Sequence, residues 1–140
     1  SCVLADDEIM LCIKPGEHGS TYGGNPIAAK VAMTALDVIQ DENLAENSER
    51  LGKIFRKRLK SIDSELIELV RGKGLLNAVV IKSIGGISAW DVCIALMKNG
   101  LLAKPTHEHI IRFTPPLIIT EEQMNLALDI IESTFEQLKA

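Results

Sequence analysis

The stretch Gly16-Glu17-His18-Gly19-Ser20-Thr21-Tyr22-Gly23-Gly24-Asn25-Pro26 limits what this chain can fold into more than any other part of it. Its four glycines let the backbone turn through positive φ and come close to a ligand, so the segment reads as a loop. Asn25 is a favoured N-cap and Pro26 suits the first helical position, so a helix is expected to start there. Such a helix points free amides back at the loop. With the hydroxyls of Ser20 and Thr21 beside them, the segment has the make-up of a phosphate seat. An ordinary glycine-rich turn is the alternative that composition leaves open.

Two familiar phosphate motifs are excluded. Gly19 to Gly24 has the glycine spacing of half a P-loop, but Asn25-Pro26 stands where a lysine and a hydroxyl residue would grip phosphates and magnesium. Gly72-Lys73-Gly74 begins like a dinucleotide fingerprint. Asn77, however, occupies the third glycine position, and a strand-like run follows where a helix is needed.

The net charge of -4 argues against a nucleic-acid footprint, which needs a strongly basic balance. Three cysteines, Cys2, Cys12 and Cys93, are odd in number and set in apolar surroundings, which fits a reducing compartment better than a disulfide framework. No apolar run approaches the ~20 residues that span a bilayer. The chain opens at Ser1, and Cys2-Val3-Leu4-Ala5 reads as an apolar strand already under way, as if a segment preceded it. At 140 residues, 46% of them apolar, the chain has ample material for a packed core.

The helix from about Pro26 to Gln40 carries apolar residues on most sides, the pattern of a helix buried between two layers. Asp41-Glu42-Asn43 breaks it. A second helix runs to about Ile62 with Leu51, Ile54, Phe55, Leu59 and Ile62 on one face. Lys53, Arg56, Lys57, Arg58 and Lys60 are read as its solvated side. Leu66 to Val70 and Leu75 to Ile81 read as neighbouring strands, with Arg71 to Gly74 as the connection and Arg71 and Lys73 as turn charges. Ser88 and Asp91 resemble a capping box that opens a helix closing at Asn99-Gly100. Leu101 to Ala103 and His109 to Thr114 are expected as short strands, the second stopped by Pro115-Pro116. Thr120 with Gln123 caps a last helix whose stripe is Met124, Leu128, Ile131, Phe135 and Leu138. The second half is thus α+β, a small sheet with helices on one side, and a boundary near Asp41 separates it from the end of a larger unit.

The string GEHGSTYGGNP over 16–26, followed by ENLAENSERLG, RGKGLLNAVVIK and NGLLAKPTHEHIIRFTPPL, resembles the C-terminal part of the class III aminotransferases, pyridoxal-phosphate enzymes of fold type I. Taken together, the later strings are most similar to the ornithine aminotransferase family. The resemblance implies an α/β fold: residues 1–41 as the end of the large cofactor-binding domain, and 42–140 as the C-terminal small α+β domain. It implies pyridoxal 5'-phosphate as cofactor, with Thr21, beside Ser20, reaching across a homodimer interface to the phosphate of the neighbouring subunit. It also implies that Arg112 binds a substrate carboxylate, for which a guanidinium offers a two-pronged fork.

The activity so implied moves the δ-amino group of L-ornithine to 2-oxoglutarate, in the mitochondrial matrix or the cytoplasm. The family's lysine that carries the cofactor has no match here, since Lys14 and Lys30 fall in the wrong places. By resemblance it lies upstream of Ser1, so the chain alone is expected to be inactive. Acetylornithine or aminobutyrate aminotransferase is the nearest alternative, and a non-catalytic α+β anion-binding module is the alternative from another class.

The remaining candidates get plainer readings. His107 and His109 lack a third ligand nearby, so no metal is expected. Cys93 lies on an apolar helix face and reads as core, since nothing near it in sequence would lower its pKa.

Overall fold

The computed structural model describes residues 3–139. The chain divides into two compact units, 1–42 and 43–140.

The first unit contains a single-turn helix, α1 (Asp7–Met10), and α2 (Pro26–Asp41). Val3, Leu4 and Ala5 form no strand, because no neighbouring strand pairs with them among the described residues; Cys2, the first residue of the expected run, lies outside the described residues. Asn25 caps α2 and Pro26 is its first residue, as the sequence predicts. The expectation that α2 is buried is not met. In the first unit by itself Ile27, Val31 and Leu36 are more than half exposed, since no second layer covers them among the described residues.

The second unit holds α3 (Leu44–Ser61), β1 (Ile67–Lys73), β2 (Leu76–Ile81), α4 (Ala89–Lys98), β3 (Lys104–Thr106), β4 (Ile110–Phe113) and α5 (Glu121–Gln137). Asn43, in the left-handed region at φ 51°, separates α2 from α3, a conformation that asparagine tolerates. The four strands form one antiparallel sheet in the order β1-β2-β4-β3.

One face of the sheet is covered and the other is open. Val70, Val79, Ile81, Ile111 and Phe113 turn inward and are buried against Leu51, Phe55 and Leu59 of α3, Val92 and Leu96 of α4, and Met124, Leu128, Ile131 and Phe135 of α5. The Phe55 and Phe113 rings meet at 5.4 Å, inclined by 58°. Burying each such side chain contributes about 1.5–3 kcal/mol, so this single core, with helices on one side as expected, is the main stabilising term of the unit.

Both capping boxes form. Ser88 and Asp91 exchange bonds at the start of α4, and Thr120 and Gln123 do so at the start of α5.

Two strand expectations shift. Arg71, Gly72 and Lys73 belong to β1, and the connection is only Gly74-Leu75. Gly74, at φ 52°, takes the turn position where a two-residue hairpin of the II′ kind needs positive φ. Leu101 to Ala103 is not a strand; the ladder partner of β4 is Lys104–Thr106, and Pro105 fits there because β3 is an edge strand. β4 ends at Phe113, ahead of Pro115-Pro116.

Candidate functional site

The phosphate-type loop belongs to the first unit. Ser20 Oγ accepts hydrogen bonds from the amides of Tyr22 (3.3 Å) and Gly23 (3.0 Å), which ties the loop into a tight turn. Asn25 Oδ1 accepts from the amides of Ile27 (2.9 Å) and Ala28 (3.2 Å). Here the structure corrects a sequence expectation: the first amides of α2 do not point unpaired at the loop, because the Asn25 side chain has taken them. Besides the Thr21 and Gly24 backbone amides, which have no hydrogen-bond partner among the described residues, the loop offers an anion hydroxyl protons. Ser20 accepts twice and keeps its proton free to donate. Thr21 is exposed, and its hydroxyl has no partner among the described residues. Glu17, the loop's acid, bonds its carboxylate to the Lys14 amide at 2.6 Å. A phosphate group fits such a seat, held by hydroxyl donors without a competing amine.

Arg112 belongs to the second unit. It stands exposed on β4 and points to the open face of the sheet, with Ala78 opposite on β2 and Lys104 opposite on β3. Arg112 lines two concavities. One, of about 660 Å³, lies toward Leu101, Ala103, Pro115 and α5 and is largely apolar. The other, of about 450 Å³, lies toward Arg71, Lys73 and Thr106. Among the described residues no carboxylate pairs with Arg71, Lys73, Lys104 or Arg112. Ser20 and Thr21 are thus in one unit and Arg112 in the other.

The basic side of α3 is not simply solvated. Arg58 donates to Glu132 through Nε (2.8 Å) and Nη2 (2.6 Å), and to Asp129 through Nη2 (2.6 Å). The Glu132 carboxylate, with Asp129 adding to it, raises the already high pKa of this guanidinium further. Arg56 is half-buried and donates to Gly74 O (2.8 Å) and Asn77 Oδ1 (2.9 Å). Asn77 is buried and itself donates to Gly74 O at 3.1 Å, while Ser48 Oγ accepts from Leu75 N at 3.0 Å. Together these groups clamp the β1–β2 hairpin onto α3, and so fix the strand that carries Arg71 and Lys73. Sequence reading missed this clamp; its one local sign was Ser48, Gly52 and Arg56 recurring at four-residue steps on a single helical face.

His107 and His109 occupy the β3–β4 turn and are exposed, with His107 and Glu108 both at positive φ. Cys93 is buried in the core, and burial pushes its thiol pKa up. That is the opposite of what a nucleophile needs. Among the described residues no helix is long and apolar enough to cross a membrane.

Hydroxyls on a glycine turn capped by Asn-Pro, and an arginine in an Ile-Ile-Arg-Phe strand ahead of two prolines, define a class. The chain belongs to the class III aminotransferases, a family of pyridoxal-phosphate enzymes, whose model, Aminotransferase class-III, matches residues 1–135. Within that class the similarity is strong to the mitochondrial ornithine aminotransferase of Drosophila melanogaster, at 57% identity over 134 residues. The match takes in 96% of this chain and 31% of the fly protein, so the chain spans about a third of the length of that relative.

Two solved structures agree. An acetylornithine aminotransferase from Elizabethkingia anophelis superposes with a TM-score of 0.82 at 55% identity, covering 96% of this chain and 36% of its own. The ornithine aminotransferase of Toxoplasma gondii gives 0.82 at 44% identity, covering 94% and 32%; it is described with partial occupancy of PLP at its active site. The mixed helix-and-strand fold expected from sequence is therefore that of the fold-type-I aminotransferases.

Proposed function

We propose that this chain is the phosphate-binding and carboxylate-binding part of an ornithine aminotransferase, the enzyme that moves the δ-amino group of L-ornithine to 2-oxoglutarate and yields glutamate semialdehyde and glutamate. The observation that carries the reading is 57% identity with the fly ornithine aminotransferase across nearly the whole chain. The Elizabethkingia relative keeps acetylornithine as the alternative amine donor. In this reading residues 1–41 are the end of the large domain and 42–140 the small domain.

Pyridoxal 5'-phosphate, when bound, supplies the electron sink that lets a proton leave the carbon bearing the amine. The residues here do the holding. Thr21 and Ser20 donate hydroxyl hydrogen bonds to the phosphate, and Thr21 serves the cofactor of the neighbouring subunit in a homodimer. Arg112 receives a substrate carboxylate in its guanidinium fork and so orients the amine. The lysine that carries the cofactor lies outside these residues, so this chain supplies position and charge without the covalent step. In ornithine the amine to be moved is the one far from the carboxylate, so Arg112 is expected to serve the two half-reactions unequally.

Two measurements test the proposal. The 140-residue chain mixed with pyridoxal 5'-phosphate is expected to give the spectrum of free cofactor, unchanged by L-ornithine. In a chain extended to the length of the relatives, ornithine and 2-oxoglutarate are expected to be converted. There Thr21→Ala should weaken cofactor binding, and Arg112→Lys should raise the KM of one substrate far more than the other. Conversion of acetylornithine but not ornithine would move the assignment to the sibling, and equal effects of Arg112→Lys on both KM values would remove Arg112 from its role.

A further inference from the structure

Asn99-Gly100 closes α4, and it is the one place in the chain where an asparagine precedes a glycine. In that pairing the asparagine can lose its side-chain amide as ammonia with no enzyme or oxidant. The Gly100 nitrogen gives up its proton and bonds to Asn99 Cγ, the Cγ–Nδ2 bond breaks, and ammonia leaves carrying that proton. Water then opens the five-membered imide at either carbonyl, leaving aspartate or isoaspartate. A following glycine favours the attack, because it has no Cβ in the way and lets the backbone turn to reach Cγ.

The structure holds both reacting groups away from this step. Asn99 Nδ2 donates to Thr134 Oγ1 at 2.8 Å and to Gln137 Oε1 at 3.1 Å, both in the last turn of α5. The Gly100 amide donates to Met97 O at 3.1 Å. Thr134 is fully buried, and its own proton goes to Ile130 O at 2.7 Å, so the oxygen it turns to Asn99 is fixed in place. Gly100, by contrast, is exposed at φ 95°, and no atom among the described residues lies within 4 Å of where its β-carbon would be. The site is open to water on one side and fastened to α5 on the other. An aspartate at position 99 would bring only acceptors, and Thr134 has no proton left to give it. It would also place a negative charge at the C-terminal end of α4, the unfavourable end for an anion.

We propose that Asn99 is a spontaneous deamidation site held in check by α5, so that release of the last turn of α5 starts an irreversible loosening of the α4–α5 contact. Helix ends open more readily than helix centres, so this turn can free Asn99 without unfolding the unit. The inference stands on the second unit alone and does not depend on the activity proposed above.

The test follows aspartate and isoaspartate at position 99 by peptide mass spectrometry, with the 140-residue chain kept at mildly alkaline pH, folded or in guanidinium. The folded chain is expected to deamidate at least about tenfold more slowly than the unfolded one. Thr134→Val, which keeps the shape and removes the acceptor, should speed the folded chain about threefold or more and leave the rate in guanidinium unchanged. Gln137→Ala, at the surface, should act in the same direction. Cys93→Ala weakens the core beneath α4 without touching the partners of Asn99, and should leave the folded rate as it is. A folded chain that deamidates as fast as the unfolded one, or Thr134→Val and Gln137→Ala chains no faster than the parent, overturns the proposal. Equal acceleration by Cys93→Ala and Thr134→Val would assign the reaction to global unfolding and overturn the role of α5.

Discussion

Replacing Gly52 by alanine sets local and tertiary preferences against each other. Gly52 lies inside α3, where alanine in place of glycine ordinarily gains about 1 kcal/mol of helix propensity. It also lies where the β1–β2 hairpin touches that helix. A β-carbon there would sit 1.9 Å from Gly74 O and 2.4 Å from Gly74 C, both backbone atoms that no rotamer change can move. The hairpin must lift. Overpacking of this kind costs about 1–3 kcal/mol, and displacing the Gly74 carbonyl from Arg56 and Asn77 adds about 1–3 kcal/mol more.

The net is a loss of about 1–5 kcal/mol, opposite in sign to propensity. With a urea slope of about 1–3 kcal/mol per M, the unfolding midpoint should fall by about 1 M. Urea denaturation followed by circular dichroism measures this directly. A midpoint equal to the parent's or above it would show that helix and hairpin are not in contact at Gly52 and would refute the clamp. Arg56→Met should further cost less in the Gly52→Ala background than alone, because the carbonyl it holds has already moved.

Two further perturbations have defined outcomes. Arg58→Gln removes the fork to Glu132 and Asp129 and should destabilise the second unit by about 1 kcal/mol, a loss that shrinks at high ionic strength in thermal melts because the acids are partly exposed. Asp91 is held below its ordinary carboxylate range first by the Ser88 hydroxyl and then by the Ser88 amide. A lowered folded-state value means that its contribution is present above the unfolded pKa of about 3.9 and is lost as pH falls through the folded value. The stability gap between the parent and Ser88→Ala should accordingly be wide at neutral pH and narrow in strong acid; a gap independent of pH would contradict this.

Helix starts were legible because their determinants lie within three residues of one another. Asn25-Pro26, Ser88 with Asp91 and Thr120 with Gln123 each satisfy amides of their own first turn. The core face of α5 was legible too, since one apolar stripe fits a single helical face. Strand limits were harder. Arg71-Gly72-Lys73 has the composition of a turn, yet pairs with Leu76, Asn77 and Ala78, and Leu101 to Ala103 has the composition of a strand, yet lacks a partner. Of the candidate site, the hydroxyl loop and Arg112 could be named from resemblance. The capture of the α2 amides by Asn25, and the cations beside Arg112, could not.

The order of residues by itself determined the caps, the helical faces and the glycine turn, because these interactions span one turn or less. Tertiary structure alone decided which charges are partnered and which are free. Arg58 meets acids more than 70 positions away, Arg56 meets a hairpin some 20 positions on, and Arg71 shares a row with Arg112 only through the sheet order β1-β2-β4-β3. An arginine's sequence neighbours do not reveal whether a carboxylate faces it. That depends on strand register and helix packing, and here those leave the cations of the open sheet face without a partner among the described residues.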